Sequence, residues 1–150
     1  MNQKLIQLEI VTPERVVSRQ LVRQITVPTT TGEITVLPDH IPLISILEPG
    51  VIEFKLAEGT QEVVAVSGGF IEVLHDKVVI LADTAERADE LDEERIKTAQ
   101  ARAADLKKTA QDADDVQFAN IAAQLEKELA RGRAVSRWRK IKGLDNINNK

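Results

Sequence analysis

The feature that most constrains this chain is a change of pattern near residue 85. Before it, short apolar runs alternate with turn residues; after it, Ala, Glu and Arg recur at helical spacing for the remaining sixty or so positions. Period-two alternation belongs to half-buried strands and a period near 3.6 to helices, so one element type cannot serve both parts. Two unequal units are expected: a β module over 1–85 and a helical unit over 86–150.

Residues 4–11 alternate from Ile6 onward and read as a first strand, broken by Thr12-Pro13-Glu14-Arg15. Val16-Val17 and 21–27 read as further strands, as do the short runs 34–37 and 43–47, bounded by Gly32, Pro38, Pro42 and an expected turn at Pro49-Gly50. Runs 51–57 and 61–66 flank Glu58-Gly59-Thr60, and runs 70–74 and 77–82 flank His75-Asp76, which predicts two hairpins. Gly68-Gly69 sits at a strand junction, where a missing Cβ permits a bulge or close backbone approach. About nine short strands at this spacing predict a sandwich or flattened barrel. With three Phe, one Trp and no Tyr, its core must be aliphatic.

Asp83-Thr84-Ala85-Glu86 is expected to leave the last strand. Asp89 is then the expected N-cap of a helix over 90–110, with apolar positions Leu91, Ala99, Ala103, Leu106 and Ala110. Gln111–Asp114 is the expected turn, with Asp112 or Asp114 capping a second helix. Its stripe is Phe118, Ile121, Ala122, Leu125, Leu129, Trp138 and Ile141; Gly143 should end it and 145–150 should fray. So alanine-rich a pair buries little apolar area and docks weakly. That suits a part switching between two arrangements, although a permanently packed pair fits the same residues.

Charge narrows the function. Residues 1–85 hold 6 basic and 11 acidic side chains, while 131–150 hold 7 basic and one acid. A mildly acidic chain with one basic end lacks the broad basic face of a dedicated nucleic-acid binder. Arg131, Arg133, Arg137, Arg139, Lys140 and Lys142 around Trp138 could meet RNA or an acidic protein, or simply solvate a helix face. No cysteine is present, so thiol chemistry is excluded. No apolar run approaches the roughly 20 residues of a spanning helix, and residues 1–12 carry Lys4 and Glu9 where a signal peptide needs an apolar core. Membrane association is expected only through a partner. His40 and His75 have no metal-ligand companions, Asp39-His40 has no nucleophile, and Ser67-Gly68-Gly69 lacks the lysine and helix of a phosphate loop. Neither catalysis nor a metal site is expected.

The order of motifs adds a family. Leu8–Pro13-Glu14-Arg15, the span 27–40 with Gly32-Glu33 and Leu37-Pro38-Asp39-His40, Pro42-Leu43, Leu47-Glu48-Pro49-Gly50, Val66-Ser67-Gly68-Gly69-Phe70-Ile71-Glu72-Val73 and Leu81-Ala82-Asp83-Thr84-Ala85 follow in sequence. Over residues 5 to about 135 this array resembles the epsilon subunits of bacterial and chloroplast F-type ATP synthases. The resemblance implies a β-sandwich of about ten short strands followed by an antiparallel two-helix hairpin. It implies a non-catalytic rotor subunit of a proton-translocating complex, peripheral at the cytoplasmic face of the bacterial membrane.

The partners it implies are the proteolipid ring, met by Thr31, Gly32, Glu33 and His40, and the gamma subunit, met near Thr12 and Val51. An extended hairpin would inhibit hydrolysis by presenting Arg131, Arg133, Arg137, Arg139 and Lys140 to the catalytic beta and alpha subunits. No cofactor is required, and nucleic acid is not an implied partner. ATP is an implied regulatory ligand that holds the hairpin folded, on Asp92, Arg95, Arg102, Lys127 and Arg131. Ile96 departs from the small Ala of that motif, and Lys127 from an arginine whose fork lysine cannot supply. The reading from another class is a free-standing module whose basic hairpin recruits an acidic protein or RNA.

Overall fold

The computed structural model describes residues 3–110 and 114–144. Seven strands form the β module: β1 (Ile6–Val11), β2 (Val16–Thr29), β3 (Gly32–Val36), β4 (Leu43–Leu56), β5 (Gln61–Leu74), β6 (Lys77–Ala82) and β7 (Ala85–Arg87). Their order is β1-β6-β5-β4-β2-β3; β1 also pairs with β2, which closes the sheet on itself, and β7 pairs with β5. A 3-10 turn over Ala88–Glu90 leads to helices α1 (Glu93–Thr109) and α2 (Asp115–Lys142).

The sandwich and helix pair match the expectation, but the strands are fewer and longer. Val16-Val17 and 21–27 are one strand, as are 43–47 with 51–57 and 61–66 with 70–74; each of the three runs 14 residues. Pro49-Gly50 is therefore not a turn. Pro49 pairs with Ser67 and Gly50 with Val66, inside a ladder that keeps one register from Leu43↔Val73 to Lys55↔Gln61. What looked like a break is a corner, where a long strand passes from one layer to the other.

Glycine makes the corner possible. Gly68 and Gly69 have φ of 118° and 137°, and a Cβ on Gly69 would stand 2.0 Å from the Leu81 carbonyl oxygen. No other residue type tolerates both that torsion and that approach. Inside the bent sheet, Ile6, Leu8, Ile10, Val22, Ile25, Ile52, Phe54, Val64, Ile71 and Ile80 form an aliphatic core with a single aromatic.

β6 does not end the sheet. After Asp83 and Thr84, β7 resumes the same register on β5, with Thr84 Oγ1 donating to Ser67 Oγ at 2.7 Å. The chain thus leaves the sheet after Arg87, later than expected. Asp89 is not the cap of α1, because the Arg87 guanidinium holds it in the 3-10 turn. Asp92 caps α1 instead, accepting from the backbone N–H groups of Glu94 and Arg95 at 3.0 and 3.2 Å. Asp114 caps α2, and Gly143, with φ 69°, ends it. Gln111, Asp112 and the Asn-rich tail 145–150 lie outside the described residues.

Replacing Gly69 by Ala should lower unfolding stability by more than about 2 kcal/mol, since torsional strain and overlap with a backbone carbonyl act together. Urea denaturation checks this; a loss below about 0.5 kcal/mol would show that the corner relaxes around a methyl group.

Candidate docking surfaces and the helix latch

β5 shows how the two layers differ outside. Its first half is buried on both faces: Val64 and Val66 enter the core, while Val63 and Ala65 pack under α2. Its second half alternates, with Ile71 and Val73 inside and Phe70, Glu72 and Leu74 exposed. Outward residues of the uncovered layer line up across strands. Ile46 pairs with Phe70, Phe70 with Leu81, Leu81 with Val11 and Val11 with Val16. At strand spacings near 4.8 Å this apolar row crosses five strands and spans about 19 Å. Ile46, Phe70, Leu81 and Val16 are 53, 55, 55 and 48 % exposed, and Ile44 beside them is 74 % exposed, so none of the described residues covers the row. A contiguous apolar band on a sheet face marks a site for another protein.

The opposite layer is covered. Ala130, Ala134, Trp138 and Ile141 form one stripe of α2, and the last three pack on Val51, Val63, Ala65, Ala88 and Leu91. The expected stripe included Trp138 and Ile141 but missed Ala130 and Ala134, and it included Phe118, which is 46 % exposed. In α1 the buried residues are Ile96 and Ala103, followed by Ala110 at its C-cap, while Leu106 is 47 % exposed. Alanines carry so little apolar area that their periodicity barely registers beside larger side chains.

Ion pairs fasten the covered layer. Arg131 Nε and Nη2 donate to the two oxygens of Glu86, both at 2.5 Å, and its Nη1 donates to Glu128 at 2.6 Å. Arg137 pairs with Glu53 on β4, and Arg139 Nη1 donates to Glu93 of α1 at 2.7 Å. Burial pushes the Glu86 carboxyl up, but the hydrogen bonds and charge of Arg131, with Lys127 and Arg15 farther off, outweigh it and hold Glu86 below the usual range. Three of the five basic residues expected to act on a partner are thus engaged within the chain. Arg133 and Lys140 stand exposed, lining a groove of about 1190 Å³ between the hairpin helices and the β2–β3 end of the sandwich.

The expected ring-contact residues occupy two places. Thr31 and Gly32 form the β2–β3 tip, where Thr29 Oγ1 donates to the Gly32 carbonyl at 2.6 Å, with Glu33 exposed beside it. His40 lies past the far end of β3, about 13 Å away along the strand. Its neighbour Asp39 donates its backbone N–H to the His75 carbonyl at 3.0 Å. Glu33 also lines the groove under α2, and its charge adds a little to the rise in the Arg137 pKa that the hydrogen bond and charge of Glu53 chiefly cause. Thr12 follows Val11 of the apolar row, its Oγ1 donating to the Arg15 carbonyl at 3.2 Å. Val51 lies under α2, so a partner reaches it only when the helix leaves.

Comparison with known proteins decides the family. The model of the ATP synthase delta/epsilon chain β-sandwich domain matches residues 5–88. The chain belongs to this family. It is 48 % identical to the ATP synthase epsilon chain of Chloroflexus aggregans over 91 % of its own length and 96 % of that relative's. To the epsilon chain of Herpetosiphon aurantiacus it is 45 % identical, over 78 % of its own length and 85 % of the other's. Among solved structures, a chain of the Euglena gracilis mitochondrial ATP synthase superposes with a TM-score of 0.72 at 26 % identity, covering 84 % of this chain and 78 % of that one. A chain of the Tetrahymena thermophila mitochondrial ATP synthase shares the fold, with a TM-score of 0.56 at 14 % identity over 92 % and 98 % of the two chains. As a member of the family, this chain is a non-catalytic rotor subunit of an ATP synthase. Among the described residues no helix is long and apolar enough to cross a membrane, and no cluster of metal-ligating side chains occurs.

The five residues expected to hold ATP are spread over separate faces of the two helices in this folded hairpin. Asp92 caps α1, and Arg95 is 88 % exposed beside it. Arg95 and Arg102 are two turns apart on the face of α1 opposite Glu93, Lys97 and Gln100, which line the groove. Lys127 and Arg131, one turn apart on α2, stand by Glu86. Ile96 is buried and, with Gln100, faces Gly132 of α2. The apolar row was missed by sequence reasoning. Its signal lay in the outward positions of 70–74 and 77–82, where alternation predicts polar side chains and Phe70, Leu74, Val79 and Leu81 stand instead.

A lowered carboxyl pKa contributes docking stability that is present above the unfolded value and lost as pH falls through the folded one. Trp138, the one tryptophan, reports docking. Its emission should hold steady from pH 9 to 6 and shift to the red below about pH 4, ahead of the loss of β-sheet circular dichroism. Simultaneous loss of both signals would show that Glu86 does not govern docking.

Proposed function

We propose that the apolar row is the seat of the gamma subunit, and that it couples this subunit to the turning shaft. The observation that carries this reading is the uncovered band Ile46–Phe70–Leu81–Val11–Val16 on an otherwise alternating sheet. Water contact over so much apolar surface is unfavourable, and a largely apolar face is what permanent subunit contacts bury. The Thr31–Glu33 tip and the His40 loop meet the proteolipid ring, whose polar loops suit an exposed carboxylate and hydroxyls. Attachment to the membrane is then peripheral, through the ring, on the cytoplasmic face.

The second part of the proposal is a brake. In the folded hairpin, α2 offers Arg133 and Lys140 outward, while Arg131 and Arg137 face carboxylates of the sandwich. Once released, the same cations seek carboxylates elsewhere, and acidic segments of the catalytic subunits satisfy them. Hydrolysis is then hindered by an inserted helix, with no chemistry supplied by this chain. ATP, as the regulatory ligand implied by the family, bears on which arrangement is populated.

Co-purification from membranes tests the seats. Phe70→Glu should leave the sandwich folded, because Phe70 is exposed, and weaken gamma binding about 30-fold or more. Glu33→Lys should retain gamma and lose the ring. Wild-type recovery of gamma by Phe70→Glu would remove the apolar row from the interface. For the brake, removing residues 93–150 should raise ATP hydrolysis by the reconstituted complex several-fold; equal rates would reduce the hairpin to a scaffold.

A further inference from the structure

Glu72 stands in the middle of the uncovered layer. It lies on the outer face of β5 between Phe70 and Leu74, and the ladder sets Ile44 of β4 opposite it on one side and Val79 of β6 on the other. All four nearest neighbours on that face are therefore apolar, the two lateral ones about 5 Å away between Cβ atoms. Ile44, Phe70 and Leu74 are exposed with it, and Val79 is half-buried.

Among the described residues no cation answers that charge: Glu72 has neither an ion pair nor a side-chain hydrogen bond. Other carboxylates of the sandwich are answered. Two strands away, and also opposite Val79, Glu9 accepts from Arg19 at 2.9 Å, with the charge of Lys77 close by. On the roofed layer Glu53, Glu62 and Glu86 each meet an arginine. A lone carboxylate among apolar side chains decides what can cover it. Beneath an apolar or acidic surface it would lose its water and gain nothing, a cost that rejects such a partner. A basic side chain brought to the same place is ringed by apolar contacts that exclude water, where an ion pair is strongest.

We propose that Glu72 is the charged anchor of the gamma seat and takes a basic side chain of the gamma subunit inside the ring formed by Ile44, Phe70, Leu74 and Val79. Arginine suits it best, because its fork meets both carboxylate oxygens. The apolar row supplies burial, and Glu72 supplies selection: it admits a surface with one cation set among apolar residues and rejects one without. This rests on the reading of the row as the seat of gamma, and adds the chemistry that gamma must bring to it.

The dissociation constant of the full-length chain from an ATP synthase head that keeps gamma but has been stripped of its own epsilon subunit tests it. Glu72→Gln keeps the shape and removes the charge. Because Glu72 is exposed, the variant should melt with the native chain. It should bind at least about tenfold more weakly, and a smaller loss would overturn the proposal. Glu72→Leu makes the face wholly apolar and should also bind more weakly, since the cation of gamma is then buried unpaired. Equal or tighter binding by Glu72→Leu would overturn the proposal too. Glu58→Gln removes the same charge from the exposed β4–β5 turn, off the seat, and should bind like the native chain; a loss equal to that of Glu72→Gln would reduce the effect to net charge and overturn the anchor. Phe70→Glu separates the two readings. If it loses gamma and Glu72→Gln does not, the seat stands and the anchor falls; if neither loses gamma, the seat itself falls and the anchor with it.

Discussion

The close passage of Gly69 beneath the Leu81 carbonyl is the contact on which the remaining architecture depends. It lets β5 turn a corner while staying hydrogen-bonded to β4 on one side and to β6 and then β7 on the other. Without it, the 14-residue strands could not serve two layers, and the sheet could not close through β1 and β2. The core is small and aliphatic because a sheet folded on itself encloses only the inward residues of each strand. A rigid body results, which is what a part transmitting rotation needs.

The corner has a second consequence. It gives one continuous sheet two outer faces with different fates. One face carries Val63, Ala65 and Val51 and is roofed by α2; the other carries the row from Ile46 to Val16 and has no roof among the described residues. The roofed face holds a helix with small side chains and several charge pairs. Those pairs lie partly in water, where each is worth little alone and is weakened by salt. The bare face offers large apolar side chains, whose burial is worth more and does not depend on ionic strength. That difference suits the permanent seat and the releasable one proposed above.

Much of this was legible in the residues, though unevenly. Gly59 and His75-Asp76 marked real hairpins, Gly68-Gly69 marked the real corner, and Gly143 marked the real end of α2. Pro49-Gly50 misled, because proline and glycine signal corners and turns alike, and only the partner strand tells them apart. Asp89 misled because Arg87, two residues away, captured its carboxylate before it could cap a helix. The face of α2 was obscured by Ala130 and Ala134, which are buried by what they touch and not by any marked hydrophobicity of their own.

By itself the sequence determined the class of the molecule: an aliphatic sandwich, then two charged helices, in the order of an ATP synthase epsilon subunit. Those conclusions rest on local periodicity, turn chemistry and motif order, all written along one dimension. The apolar row and the Arg131–Glu86 pair were decided only by the tertiary structure. Val11, Val16, Ile46, Phe70 and Leu81 are strangers in sequence, and strand register alone sets them side by side. Arg131 reads as a free cation until folding brings a carboxylate 45 residues away into its fork.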